Sequence, residues 1–184
     1  MATKDEILTR LLKEENYVSG EELARQTGVS RAAVWKAIKS LKKSGYDIEG
    51  VTKCGYKLKQ NNSLVTAEGV KALLEKDIEV THFDTVDSTN TYCKRLLADG
   101  KQGEFLVTAA KQTAGRGRQG KSFYSPSETG IYFSLVIRPD TSLQNAVTAT
   151  TAAAVAVCKA IEKTTDLKPK IKWVNDVYLN GKKV

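Results

Sequence analysis

A glycine-rich loop concentrates positive charge and could bind an anionic ligand. In Gly115 to Lys121 (GRGRQGK), three glycines allow a close approach of the backbone, and two arginines and a lysine suit phosphates and developing negative charge. The letters also satisfy G-x-G-x-x-G, but the next residues, Ser122 to Pro126 (SFYSP), lack a helical period. A dinucleotide-binding turn must open a helix, so we reject it. An ordinary basic surface loop is the simpler alternative.

Two further polar clusters lie at the ends of predicted strands. Asp87 to Asn90 (DSTN) follows one strand and opens a helix, and its small polar groups can bind the polar head of a ligand. Routine helix capping also accounts for them. Lys172 to Asp176 (KWVND) brings a lysine, an amide and a carboxylate close together, and its alternative is a strand-end turn with a surface ion pair.

The first 60 residues have the pattern of a winged helix-turn-helix. Apolar spacing predicts a helix at 5–14. The capping-box spacing of Ser19 and Glu22 predicts a second at about 20–27, and a third runs from Ser30, as N-cap, to Gly45, with Gly28 in the intervening turn. Strands at 48–51 and 56–58 flank a wing at 52–55. Residues 30–60 carry 8 basic and 2 acidic side chains, which is typical of a nucleic-acid-binding face.

The third helix would then read DNA. Its first residues reach base edges in the major groove, where Arg31 can bind a guanine and the alanines leave room for thymine methyls. Lysines on the helix and wing would contact phosphates. The predicted DNA-binding residues are Ser30, Arg31, Ala32, Lys36, Lys39 and Lys53. Trp35 is ambiguous, and packing against the first helix is the favoured interpretation. A protein-binding winged helix is the rival use of this fold.

Composition excludes several classes of protein. The apolar runs are too short to span a membrane, and the N-terminus lacks a secretory signal. Three widely spaced cysteines (Cys54, Cys93, Cys158) and one histidine predict neither a disulfide framework nor a protein-held metal. We therefore expect a cytoplasmic protein with a net charge of +8.

The predicted fold class is α+β. A winged helix-turn-helix spans 1–60, a polar linker 61–65 and a mixed α/β domain 66–184. This second domain has predicted strands near 78–86, 104–111, 130–138 and 170–173, and helices near 67–75, 90–98 and 143–164. Asn180-Gly181 predicts a hairpin whose return strand begins at Lys182, two residues before Val184. We therefore expect this domain to be incomplete, as in a truncated chain.

Taken in order, DSTN, QTAGRGRQGKSFYSP and KWVNDVYLNGKK resemble the biotin–protein ligases. The added helix-turn-helix resembles the bifunctional subgroup that also represses the biotin operon. The resemblance covers nearly the whole chain and implies a class-II-synthetase-like ligase domain, of which this chain has the N-terminal part. Such a domain joins biotin to ATP, with Mg²⁺, keeps biotinyl-5′-AMP bound and transfers biotin to a lysine of a biotin carboxyl-carrier protein. The adenylate also promotes a homodimer that binds an inverted-repeat operator.

The resemblance also implies roles for individual residues. Biotin would be bound by Ser88, Thr89, Asn90, Gln112, Gly115, Arg116, Gly117, Arg118 and Lys183. The nucleotide would be bound by Arg118, Lys121, Phe123 and Asn175. The catalytic charges would come from Arg116, Arg118, Lys183, Lys172 and Asp176. Two positions depart from the family pattern: Phe123 replaces a usual tryptophan, and Val174 replaces a usual proline.

Two alternatives remain open. One is a repressor whose second domain senses a ligand without catalysis. The other is a lipoate-type ligase, which shares the fold but normally lacks both the helix-turn-helix and the GRGRxG loop.

Overall fold

The structure, a computed structural model, describes residues 3–59, 65–117, 120–127, 129–138 and 146–184. The chain divides into two compact units, residues 1–137 and residues 138–184. Nearly all of the predicted linker at 61–65 lies outside the described residues, as does Arg118. The domain boundaries at 1–60 and 66–184 stay a prediction.

The first unit begins with three helices and a two-stranded wing. They are α1 (Thr3–Lys13), α2 (Gly20–Thr27), α3 (Arg31–Lys43), β1 (Ile48–Val51) and β2 (Gly55–Leu58). Serines cap the second and third helices: Ser19 Oγ accepts from Glu22 N at 3.0 Å and Ser30 Oγ from Ala33 N at 3.2 Å. One apolar face of each helix meets β1 and β2 in a common core of Ile7, Leu8, Leu11, Leu23, Val34, Ala37, Ile38, Leu41, Tyr46, Ile48 and Leu58.

The wing is attached to the loop before α2. Val18 and Tyr56 exchange two backbone hydrogen bonds, of 2.9 and 2.8 Å. The neighbouring Gly55 has a φ of +112°, and a Cβ there would lie 2.1 Å from Val18 O. Only glycine can therefore occupy this crossing of the two backbones.

A three-stranded sheet with two helices completes the first unit. The elements are α4 (Ala67–Leu73), β3 (Glu79–Phe83), α5 (Thr89–Ala98), β4 (Phe105–Ala109) and β5 (Tyr132–Val136). Strand β4 is central, parallel to β3 and antiparallel to β5. Phe105 and Val107 of β4 form a buried cluster with Cys93 of α5. Helix α4 packs against α1, where Lys4 Nζ lies 2.8 Å from Glu68 Oε1.

The second unit is one helix with an antiparallel meander. It consists of α6 (Ala146–Thr164), β6 (Lys170–Lys172), β7 (Asp176–Leu179) and β8 (Lys182–Lys183). Ala154 and Cys158 of α6 pack with Val177 of β7. Asn180 and Gly181, with φ of 48° and 77°, form the turn between β7 and β8, so the predicted hairpin and the start of its return strand are confirmed.

The predicted fold class is confirmed by these elements: a helix-turn-helix with a wing is followed by mixed α/β structure. The predicted helices and strands are all present, and their ends differ from the predicted ones by a few residues. Within the described part of the chain, no helix is both long enough and apolar enough to cross a membrane.

Candidate ligand site and nucleic-acid interface

The DSTN segment and Gln112, which shortly precedes the glycine-rich loop, meet at one edge of the sheet. Because β3 and β4 are parallel, their carboxyl ends lie side by side, and the segments that follow them stay paired. Val86 N donates to Lys111 O at 3.1 Å, and Thr113 N donates to Val86 O at 2.9 Å. This pairing brings the DSTN segment next to Gln112, as ligand binding by both would require.

The carboxamide of Gln112 organises this edge. Its Oε1 accepts from Thr89 N at 2.8 Å and from Thr89 Oγ1 at 3.2 Å. Its Nε2 donates to Ser125 Oγ at 2.9 Å, and Ser125 Oγ donates to Phe123 O at 3.0 Å. Thr89 Oγ1 also lies 2.9 Å from Ser134 Oγ, which must be the donor there because the threonine proton already faces Gln112. The Gln112 network thus consists of Thr89, Gln112, Ser125 and Ser134.

The other DSTN residues have different positions. Ser88 is buried and caps α5, with its Oγ accepting from Thr91 N at 3.4 Å. Asn90 is exposed. Asp87 is bound by Arg95 Nη1 at 2.6 Å and by Ser88 N at 2.8 Å. The Arg95 hydrogen bond holds the pKa of Asp87 below its ordinary value, so this carboxylate stays charged and anchors the start of α5.

Sequence reasoning missed two members of the Gln112 network. Ser125 is 3% exposed, and it lies in the SFYSP segment, in which the predicted ligand contact is Phe123 and not this serine. Ser134 is a single polar residue within the apolar strand YFSLV. That isolated serine was the available signal, because a polar side chain inside an apolar strand needs a hydrogen-bond partner.

The glycine-rich loop forms a tight pair of segments rather than a helix. Phe123 N donates to Gly115 O at 2.8 Å, and Gly117 N donates to Lys121 O at 2.7 Å. Rejection of a dinucleotide-binding turn agrees with this geometry over the described part of the loop. Gly115 is buried beside the Gln112 network, whereas Arg116 and Lys121 are exposed. The loop therefore starts at the Gln112 network and presents Arg116 and Lys121 to solvent.

Phe123 supplies an aromatic surface next to this loop. Its ring is 49% exposed and contacts Tyr132 edge-on, with 6.4 Å between ring centroids. The Tyr132 hydroxyl is held by donation to Pro126 O at 2.9 Å. A supported ring with an open face is suited to stacking on a planar ligand group.

The second unit contains the remaining predicted residues. Lys172 and Asp176 are cross-strand partners in β6 and β7, and Asn175 immediately precedes Asp176. Lys183 Nζ of β8 lies 2.7 Å from Asp176 Oδ1, and both side chains are partly exposed. A lysine pair and a carboxylate thus share the surface of one small sheet. Within the described ranges, no group of three or more His, Cys, Asp or Glu side chains could hold a metal.

The predicted DNA-binding residues lie on exposed surfaces of α3 and the wing. Arg31, Ala32, Lys36 and Lys39 are exposed on α3. Lys53 is exposed in the wing turn, where its φ is +67°. This is the arrangement that a helix in the major groove and a lysine near the phosphates require.

The favoured interpretation of Trp35 is wrong. It does not pack against α1: its side chain is 54% exposed, and Lys39 Nζ lies 5.1 Å from the ring centroid. The physical reason is helical phase. Val34, Ile38 and Leu41 fill the inward stripe of α3, and Trp35 is one residue, or about 100°, away from it.

Gln112→Ala tests the network. The loss of its carboxamide removes the hydrogen bonds that Gln112 makes to the buried Thr89 and Ser125. The free energy of unfolding should therefore be about 1–3 kcal/mol lower than that of the parent chain. Urea unfolding measures this, with Gln102→Ala as the control, because Gln102 is exposed and bonds only to Gly100 O in its own loop. Equal stabilities of the two variants would remove Gln112 from this structural role.

The chain is similar to known families and proteins along most of its length. Residues 82–184 match the model of the biotin/lipoate A/B protein ligase family, and residues 3–57 match an HTH domain model. The chain is 37% identical over 170 residues to the bifunctional ligase/repressor BirA of Bacillus spizizenii, covering 91% of this chain and 52% of the relative. It is 31% identical over 177 residues to the BirA of Escherichia coli, covering 96% and 54%.

One solved structure gives the same picture of the fold. Biotin protein ligase from Aquifex aeolicus, in complex with biotin and ATP, aligns with a TM-score of 0.50 and 32% identity. The alignment covers 57% of this chain and 43% of that one. The present chain spans about half the length of the curated relatives it matches.

Proposed function

This chain belongs to the biotin/lipoate A/B protein ligase family, and we propose that it carries the acid-binding part of a biotin–protein ligase joined to a DNA-binding repressor domain. The observation that supports this most directly is the Gln112 network at the edge of the sheet. It groups an amide and three hydroxyls, all able to donate and accept hydrogen bonds, beside a glycine-rich basic loop.

The chemistry of this network favours biotin over lipoate. The ureido head of biotin has two N–H donors and a carbonyl acceptor, which the Thr89, Ser125 and Ser134 hydroxyls and the Gln112 amide can match. The dithiolane head of lipoate has no N–H or carbonyl group, so it would gain no such hydrogen bonds from the network. Ser88 and Asn90 lie in the same segment and would complete the contacts with biotin.

The proposed first reaction needs no covalent residue. A biotin carboxylate oxygen attacks the α-phosphorus of ATP, a P–O bond forms and pyrophosphate leaves with the electrons of the broken bond. The enzyme's task is to hold the two groups in line and to neutralise charge. Arg116, Arg118 and Lys183 are the proposed cations. Lys172 and Asp176, which are proposed to contribute charge as well, share the small sheet of the second unit with Lys183. The backbone of Gly115 and Gly117 allows the close approach.

Residues of both units are proposed to hold the nucleotide. Phe123 offers an open ring for stacking, Lys121 and Arg118 offer charge, and Asn175 offers an amide. Magnesium would enter bound to ATP, with the phosphates and water as its main ligands. In the second reaction, a lysine amine of a carboxyl-carrier protein attacks the carbonyl of biotinyl-5′-AMP, and AMP leaves.

The N-terminal part would make the ligase a transcriptional repressor in the cytoplasm. Arg31 and Ala32 would read bases, Ser30 would cap the reading helix, and three lysines would contact phosphates: Lys36, Lys39 and Lys53. We propose that an adenylate-bound homodimer binds an inverted repeat, because a dimer with two-fold symmetry binds an operator whose half-sites have the same symmetry.

The test of the ligase function is incubation of the chain with labelled biotin and ATP. Retained biotinyl-5′-AMP and released pyrophosphate are the expected products. Biotin binding without pyrophosphate release would support the ligand-sensing repressor instead. Adenylation of lipoate in preference to biotin would support the lipoate-type ligase, so each alternative has its own outcome.

Arg31→Ala and Lys53→Ala should weaken DNA binding in different ways. Loss of Arg31 should cost about 1–3 kcal/mol on the preferred duplex and relax preference at one position, because a base contact is gone. Loss of Lys53 should weaken all sequences alike and reduce the salt slope by about one unit. Fluorescence anisotropy with preferred and scrambled duplexes across a salt series measures both. If Arg31→Ala lowered both affinities equally, α3 would not read bases through this residue.

A further inference from the structure

An exposed indole on α3 has no role in the functions argued so far. Trp35 lies one turn after Arg31 on the same helix, and its ring is 54% exposed. Among the exposed residues of α3 it is the one large apolar side chain, and the inward stripe of the helix is filled by Val34, Ile38 and Leu41. The fold itself therefore does not require a tryptophan here.

The charged residues of the helix that carries Trp35 are all basic. Helix α3 has no acidic residue, and its exposed charges are Arg31, Lys36, Lys39, Lys42 and Lys43. Lys39, four residues on, places its ammonium over the ring, 5.1 Å from the centroid. This cation–π contact orients the indole and keeps a positive charge beside it. A surface of this kind complements a polyanion with apolar patches.

Duplex DNA has both features in its major groove. Thymine C5-methyl groups are the apolar patches there, and phosphates flank them on both sides. A residue at the fifth position of the recognition helix lies within reach of the groove when the first residues contact base edges. From this placement we infer that Trp35 is a sequence-reading residue, whose ring contacts thymine methyls while Lys39 contacts the adjacent phosphate.

This inference rests on the proposed DNA-binding function and adds a base preference to it. Arg31 alone predicts a guanine in the half-site. Trp35 adds one or more thymines about one turn of α3 away from that guanine. Because the indole is already exposed and held by Lys39 in the free protein, little side-chain freedom remains to be lost on binding.

The experiment starts with duplexes selected by the full chain, in the presence of biotin and ATP, from a random-sequence pool. Affinities for the best duplex and for its scrambled counterpart are then measured for the parent chain, Trp35→Ala and Trp35→Phe. Leu73→Ala is the control, because Leu73 is an exposed apolar residue of α4, outside α3, the wing and the proposed ligand site. Each thymine of the best duplex is replaced in turn by deoxyuridine, which lacks only the methyl group.

The expected result has three parts. Trp35→Ala binds the best duplex about tenfold more weakly but keeps its affinity for the scrambled one. Trp35→Phe retains most of the preference, and Leu73→Ala retains all of it. Deoxyuridine at the contacted position weakens DNA binding by the parent chain but not by Trp35→Ala, since that variant has no ring that could contact the methyl group.

Three results would overturn the inference. Trp35→Ala could bind the best duplex as tightly as the parent chain does. It could lose affinity equally for both duplexes, which would place the ring on the DNA backbone. Deoxyuridine could weaken DNA binding by the parent chain and by Trp35→Ala to the same extent. Selection of no duplex at all by the parent chain would instead refute the DNA-binding function, and this inference with it. Far-UV circular dichroism of each variant separates these results from misfolding.

Discussion

Biotin affinity should fall about 100-fold in Gly115→Ala, which corresponds to roughly 2.7 kcal/mol. A Cβ at this position would lie 2.3 Å from Phe123 O, 2.7 Å from Ser125 Oγ and 3.2 Å from Gln112 Nε2. The first of these atoms belongs to the backbone and cannot rotate away. Relief therefore requires the two loop segments to separate, at a cost of about 1–3 kcal/mol as in other overpacked sites.

Separation of the two loop segments would weaken ligand binding, because the loop and the Gln112 network share hydrogen bonds. Phe123 N bonds to Gly115 O at 2.8 Å, and Gln112 N bonds to Ser125 O at 3.0 Å. Moving Phe123 and Ser125 away from Gly115 displaces the partner of the Gln112 amide. The proposed biotin-head contacts would then lose their common geometry.

Isothermal titration of biotin into the parent chain and two variants measures this effect. Gly20→Ala is the control, because Gly20 lies in α2, outside the proposed site, and a Cβ there would lie an ordinary 3.5 Å from Tyr56 Cε2. We expect this control to bind biotin within about threefold of the parent, a difference of about 0.7 kcal/mol. Indistinguishable affinities for Gly115→Ala and Gly20→Ala would show that the close approach at Gly115 does not shape the site.

The second large effect is expected on the stability of the winged helix. Gly55→Ala should lower the free energy of unfolding of this region by about 2–5 kcal/mol, the sum of left-handed backbone strain and overpacking. At φ +112° the new Cβ would lie 2.1 Å from Val18 O and 2.6 Å from Ser19 Cα, both backbone atoms. The paired hydrogen bonds between Val18 and Tyr56 would have to break.

Gly28→Ala is the matched control for Gly55→Ala. Gly28 also has a positive φ, +66°, but a Cβ there meets no atom within 4 Å. It should therefore cost only the strain, about 1–2 kcal/mol. Urea unfolding followed by the helical signal of circular dichroism measures both variants. Equal destabilisation would mean that strain alone, and not the crossing of two backbones, makes glycine necessary at position 55.

Local signals in the sequence were sufficient for the boundaries of most elements. Ser19 and Ser30 cap helices at the predicted positions, because a capping hydroxyl needs only the backbone N–H three residues on. Asn180-Gly181 predicts its hairpin for the same reason, since the turn depends on the positive φ of two adjacent residues. The association of DSTN with Gln112 could also be anticipated, through the resemblance to the biotin–protein ligases.

Long-range register decided the rest. Thr89 and Ser134 are 45 residues apart and meet only because β4 pairs with β5 in one register, which no local pattern specifies. The closeness of Gly115 to Phe123 O likewise depends on how two loop segments pair. The exposure of Trp35 depends on which side chains fill the core beneath α3. The sequence by itself therefore determined the elements and the chemistry of their ends, whereas the tertiary structure decided which of those groups contact each other, because contacts between distant residues arise only when packing selects one arrangement of the chain.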